Sequence, residues 1–160
     1  MRRKDREISD LNAIEVILLQ CRTCHVAMVD EGAPYVTPLS YGYTIQAGNL
    51  LELYFHSAAE GRKLDILRRN NQVCFEMSYE GEPINVANPC NSGYYFASVI
   101  GFGAVEFLED PAEKCQALSL IFKHQTGQDL TFTPEQAHSV RVFKIASKDF
   151  TGKKKAKPSS

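Results

Sequence analysis

Residues 50–70 read LLELYFHSAAEGRKLDILRRN, and their order describes a strand that runs straight into a helix. Tyr54 and Phe55 are strand formers. The run Ser57-Ala58-Ala59-Glu60 has the S-x-x-E form of a capping box, which predicts Ser57 as the helix N-cap. Leu64 and Leu67 stand three apart on one helical face, with Leu53 beneath them. The charges are out of place. Arg62 and Lys63 fall near the helix start, where the backbone dipole is already positive and acids are the stabilising choice. The His56 imidazole, the Ser57 hydroxyl, two cations and free backbone N–H groups thus converge on one corner. Such a corner suits an anion, most simply a phosphate monoester. The competing reading is an ordinary solvated face, and Asp65, Arg68 and Arg69 show that this helix has one.

Upstream of that stretch, Ala47-Gly48-Asn49 turns the chain back, so the preceding segment forms a hairpin with it. That segment, PYVTPLSYGYTI from Pro34 to Ile45, alternates. Tyr35, Thr37, Leu39, Tyr41, Tyr43 and Ile45 share one face, and Val36, Pro38, Ser40, Gly42 and Thr44 the other. Pro38 has no N–H for a ladder, which predicts an edge or a bulge there. Pro38, Ser40 and Gly42 on one face predict a shallow platform with room for a flat ligand. Further back, Ser9 or Asp10 caps a helix through Leu11, Ile14, Ile17 and Leu18 to about Cys21. A strand from Cys24 to Val29 follows, and Asp30 to Pro34 turns it.

Downstream, Gln72 to Tyr79 alternates as another strand. Residues 80–93, EGEPINVANPCNSG, carry the Gly, Pro and Asn of a loop that holds Cys90. Tyr94 to Leu108 is too long for a flat strand, and Gly101 and Gly103 are its expected bending points. Asp110-Pro111 opens a helix, Thr133 to Gln136 a short second one, and Val140 to Ala146 the last strand. Six strands with helices at the margins, joined largely by tight turns, predict an α+β fold that is mainly β. The expected form is a six-stranded antiparallel barrel with peripheral helices. Residues 1–150 form its single domain and 151–160 a basic, mobile tail.

The 160 residues suffice for one buried core. A formal net charge of −1 gives no overall field for nucleic acid or a membrane. No apolar run is long enough to span a bilayer, and the charged start MRRKDREISD has no apolar signal segment behind it, which predicts a cytoplasmic protein. Five scattered cysteines do not make a disulfide framework. Cys21-Arg22-Thr23-Cys24-His25 matches the C-x-x-C-H pattern of covalent haem attachment, but without an export signal chance spacing is the reading taken. No second ligand pair completes a zinc site.

In this order and spacing, several segments resemble the FMN-binding split-barrel proteins related to pyridoxamine 5'-phosphate oxidase, in particular the Nim-type (5-nitroimidazole resistance) branch. They are RRKDREI at the start, Pro34 to Tyr41, Tyr54 to Ala58, Glu60 to Lys63, Tyr95 to Gly101 and Thr151 to Lys153. The resemblance implies a split barrel that forms a homodimer, with FMN in two clefts between subunits. It implies that Thr37, Pro38, Leu39 and Ser40 line the isoalloxazine. It implies that His56, Ser57, Ala58 and Lys63, helped by Arg62, hold the ribityl chain and phosphate. It implies that Ser98, with Val99, reaches the same cofactor from the long strand. The C-terminal KIASKDFTGKKKAKPSS lacks the Arg-rich segment that grips substrate phosphate in the oxidases proper, so that substrate is not expected.

The implied activity is a flavin-dependent oxidoreductase acting on a small aromatic or nitro compound. The alternative is a non-catalytic flavin- or haem-binding split barrel, with His25 or His56 as the axial haem ligand. No nucleophile with a positioned base is legible. Cys90 is read as incidental rather than as a flavin or substrate contact.

Overall fold

The computed structural model describes residues 3–84, 86, 88, 90 and 92–157. The expected basic residue Arg2, part of the 80–93 connection and residues 158–160 of the expected tail lie outside the described residues. The alternating segments form β1 (Glu7–Ile8), β2 (Thr23–Asp30), β3 (Ala33–Gln46), β4 (Leu50–Ser57), β5 (Gln72–Ile84), β6 (Gly93–Leu108) and β7 (Arg141–Lys155). The helical segments form α1 (Leu11–Gln20), α2 (Arg62–Arg69), α3 (Pro111–Thr126) and α4 (Pro134–His138).

The sheet is antiparallel in the order β1-β7-β4-β3-β2-β5-β6. A further pairing of β6 with β7 closes the six long strands into a ring. Tyr41, Leu53, Phe55, Phe75, Val99 and Phe143 fill the ring and are fully buried. Each such side chain stabilises the fold by about 1.5–3 kcal/mol relative to exposure. α1 closes one flank, where the Tyr41 hydroxyl donates to the Leu18 carbonyl at 2.7 Å.

Several expectations hold in detail. Asp10 caps α1 by accepting from the Ala13 N–H. Asp110 caps α3 with Pro111 behind it, and Thr133 and Gln136 form the capping box of α4. The long strand β6 shifts register against β7 between Phe102 and Ala104, at Gly103, one of the two expected glycines, while Gly101 stays in register opposite Phe150.

Others are corrected. Ser57 is not a helix cap: it ends β4, and its hydroxyl donates to the Ala58 carbonyl at 2.9 Å. Helix α2 starts later, after Gly61, whose φ of +138° is a conformation that L side chains rarely adopt. The strand from Gln72 runs on to Ile84, because Pro83 and Ile84 still pair with Tyr94 and Gly93. The basic tail is not free from residue 151. Thr151 to Lys155 continue β7 and pair with β6.

Gly42 does not leave a platform for a ligand either. A Cβ there would lie 2.5 Å from the Ile121 nitrogen and 2.6 Å from the Leu120 carbonyl carbon, so the missing side chain admits the backbone of α3. Among the described residues no helix is long and apolar enough to cross a membrane.

Candidate functional site

Strand register creates the corner. β3 pairs with β4 only from Tyr41 to Gln46, while its first half, Ala33 to Ser40, pairs with β2 alone. β4 therefore leaves β3 after Phe55, and its last residues, His56 and Ser57, pair only with β7. Pro38 lies in that one-sided half, as a residue without an N–H requires. One edge of β3 is thus unpaired beside the point where β4 hands the chain to α2.

The helix start supplies donors. The Gly61 carbonyl accepts from the Leu64 N–H at 2.9 Å and the Asp65 N–H at 3.3 Å. The N–H groups of Arg62 and Lys63 precede those bonds and have no intrahelical acceptor. The cations divide. Arg62 Nε donates to Asp30 at 3.0 Å, and its guanidinium stands 4.7 Å from the centroid of the Tyr35 ring. Arg69 binds the other oxygen of Asp30. Both arginines are thus committed to tying α2 to the β2–β3 turn. Lys63 is half-buried and, among the described residues, pairs with no carboxylate. It is close enough to His56 that its charge lowers the imidazole pKa, a second cause after burial of the ring. His56 is therefore held toward its neutral form.

The remaining expected site residues separate by sheet face. Pro38 and Ser40 point outward and are exposed, and Ala58 is exposed beyond the end of β4. Thr37 and Leu39 are opposite Val26 and Cys24 on the core side, and Leu39 is buried. Only the backbone of those two residues can meet a ligand on the outer face. Val99 is fully buried in the core, so it too can offer a ligand only its backbone. Ser98, half-buried, pairs with Ser78 and Lys153. By way of β7 its strand is only two strands from β4, but Lys153 lies eleven residues along β7 from Val142, the partner of His56, a path of about 36 Å at ~3.3 Å per residue. The structure thus gathers Ser40, His56, Ser57, Ala58 and Lys63, and leaves Arg62, Ser98 and Val99 outside that group.

The C-x-x-C-H run splits. Cys21 and Cys24 face the core, and burial pushes the Cys21 thiol up to about 11 and the Cys24 thiol higher still. His25 points out from the opposite face and bonds Glu76 at 3.1 Å. Cys90 is exposed and lines a second, basic cavity of about 510 Å³ with Arg3, Arg6 and Lys155. Arg3 there is taken by two hydrogen bonds to Asp5.

Two features escaped the sequence reading. The Asp30 clamp joins residues far apart in the chain, and no local pattern marks it. A cavity of about 360 Å³ beside Ser40 and His56 is walled by α3 and α4. Its only trace in the sequence is the apolar face of α3.

The sequence family described as pyridoxamine 5'-phosphate oxidase matches residues 10–154. Among solved structures, a protein from Bacteroides thetaiotaomicron named for 5-nitroimidazole antibiotic resistance is 36% identical, with a TM-score of 0.79. That match covers 92% of this chain and 85% of the other. The flavocytochrome Anf3 of Azotobacter vinelandii is 20% identical with a TM-score of 0.79, over 99% of this chain and 73% of that one. An FAD- and haem-binding protein of Mycobacterium smegmatis is 17% identical with a TM-score of 0.78, over 97% and 76%. These last two show the fold alone. No curated protein matches the sequence.

Proposed function

We propose that this chain, which belongs to the pyridoxamine 5'-phosphate oxidase family of flavin-binding split-barrel proteins, binds FMN and is an oxidoreductase for a small aromatic or nitro compound. The six-strand ring is read as the split barrel. The observation that carries the reading is Lys63. It is a half-buried cation without a carboxylate partner among the described residues, beside helix N–H groups with no intrahelical acceptor. Its neighbours Arg62 and Arg69 are both engaged by the single carboxylate of Asp30. A phosphate monoester satisfies that donor set.

In this reading Lys63, Ser57, Ala58 and the helix N–H groups hold the phosphate and ribityl chain. The unpaired edge of β3 offers backbone groups to the edge of the isoalloxazine, with Pro38 and Ser40 beside it. Bound flavin supplies the electron chemistry, and the protein orients it and limits water. Ser98 and the backbone of Val99 come from a second copy, because within one chain they pair at Lys153 and Gly152, at the far end of β7 from Val142, the partner of His56. The outer face of β6-β5-β2-β3 suits that association. Register sets Phe102, Cys74, Ala27 and Val36 in one row across it, and Phe102, Ile100 and Val36 are each close to half exposed. An apolar sheet face of this kind favours burial against a copy of itself.

The second reading is a non-catalytic flavin- or haem-binding protein. It is favoured by His56, an imidazole held toward neutrality on the wall of a largely apolar cavity, as an axial ligand must be. Cofactor identification from the pure protein, then reduction by a nicotinamide donor and reoxidation by a nitroaromatic, tests the first reading. A yellow protein with a two-banded spectrum and steady turnover is expected. A single intense Soret band supports the haem alternative, and a yellow protein that never turns over supports the carrier.

A further inference from the structure

The cavity between α3, α4 and the end of β4 is built for an uncharged ligand. Its apolar walls are Leu118, Ile121, Phe122, Phe132 and Val140. Phe122 and Phe132 meet edge to face, with centroids 6.1 Å apart and planes at 73°. Its polar groups are Ser40, His56, Gln125 and Gln136, and no Lys, Arg, Asp or Glu lines it. A charged ligand would lose hydration there without a counter-ion.

Both carboxamides are fixed by their own partners. Gln125 Nε2 donates to the Arg22 carbonyl at 3.0 Å and to the Tyr41 carbonyl at 2.9 Å, which leaves Oε1 to accept. Gln136 Oε1 accepts from the Thr133 N–H at 2.9 Å, which leaves Nε2 to donate. The cavity wall thus combines two aromatic rings with two carboxamides, one with its oxygen and one with its nitrogen left for a further partner. At about 360 Å³ it is the size of a small-molecule pocket.

We propose that this cavity binds an uncharged aromatic carboxamide, its ring against Phe122 and Phe132 and its amide between Gln125 and Gln136. The proposal goes beyond the flavin reading and does not need it. Only Ser40 and His56 are shared with the phosphate corner, and the apolar walls belong to α3, the connection before α4 and the residue before β7.

Benzamide and benzoate have nearly the same shape and differ in charge, so they test the chemistry. The chain has no tryptophan, and Phe122→Trp places a single tryptophan, excited apart from the tyrosines, in the wall. Fluorescence titration of that variant, and calorimetry on the unaltered chain, should give saturable benzamide binding at least tenfold tighter than benzoate. Val140→Trp, which fills the cavity, should weaken benzamide at least tenfold. Equal binding of the two compounds, no saturable response, or a folded Val140→Trp chain that binds as before overturns the proposal. If Val140→Trp does not fold, the benzamide–benzoate comparison still decides. Each titration is run with and without FMN, so a chain that takes up no FMN but binds benzamide refutes the flavin reading alone.

Discussion

Replacing Lys63 with alanine should separate two ligands that differ only in a phosphate. Lys63 is half-buried and free of carboxylates among the described residues, so its charge is available to a ligand. One charge pair at about 4 Å is worth about 4 kcal/mol at an effective dielectric of about 20. Desolvation and solvent access reduce the net to that of a charge-assisted hydrogen bond, about 1.5–3 kcal/mol. Taking ~2 kcal/mol, the FMN Kd should rise roughly 30-fold at ~1.4 kcal/mol per decade. Riboflavin, which lacks the phosphate, should change by less than about threefold. Quenching of flavin fluorescence on titration into cofactor-free protein measures both. The loss for FMN should shrink as salt is raised, since part of it is screened Coulomb attraction. An equal loss for FMN and riboflavin, or no loss for either, would refute the assignment of the phosphate to this helix start.

Arg62→Ala gives the contrast: its guanidinium is engaged by Asp30 and Tyr35, so FMN affinity should fall by less than about fivefold. Gly42→Ala should force α3 off the sheet, since the new Cβ would lie 2.5 Å from the Ile121 nitrogen. Overpacking of that kind costs about 1–3 kcal/mol, seen as a Tm lower by roughly 2–12 °C in thermal unfolding. Acid should destabilise the protein partly through His56 and His124, whose pKa values are lowered from 6.5 by burial first. Above the ordinary histidine range both states are neutral and this contribution is complete. As pH falls from about 6.5 toward the lower folded values, the unfolded chain takes up protons first and stability is lost. His124→Gln keeps an N–H donor for the Cys21 carbonyl, now accepted at 2.9 Å, but cannot titrate. Its Tm should therefore fall less than that of the parent between about pH 7.5 and pH 5.5.

What the sequence revealed was local. Alternation in Pro34–Ile45 set Tyr41 and Ser40 on opposite faces, and the structure buries the first and exposes the second. Pro38 announced the one-sided half of β3, because a residue without an N–H tolerates only an edge. Asp110-Pro111 and Thr133 to Gln136 marked helix starts through hydrogen bonds that close within three residues.

The errors arose where a distant partner decided. Ser57 had the spacing of a cap, but β7 keeps it in strand through the pairing with Arg141, and Gly61 takes the turn. The lysines after Thr151 looked like a solvated tail because their partners, Phe96 to Ser98, lie 55 to 59 residues earlier. Gly42 looked like space for a ligand because nothing near it in the chain announces α3. The corner itself was legible as a cluster of types, His56 through Lys63. Which cation was free was not legible, since Asp30, on another turn, settles it.

The most direct test is a crystal structure of the protein grown or soaked with FMN. The phosphate is predicted within hydrogen-bond distance of Lys63 Nζ and the N–H groups that open α2, with the ring along the unpaired edge of β3. A phosphate lodged instead in the basic cavity of Arg3, Arg6 and Lys155, or a corner closed by its own side chains, would contradict the account.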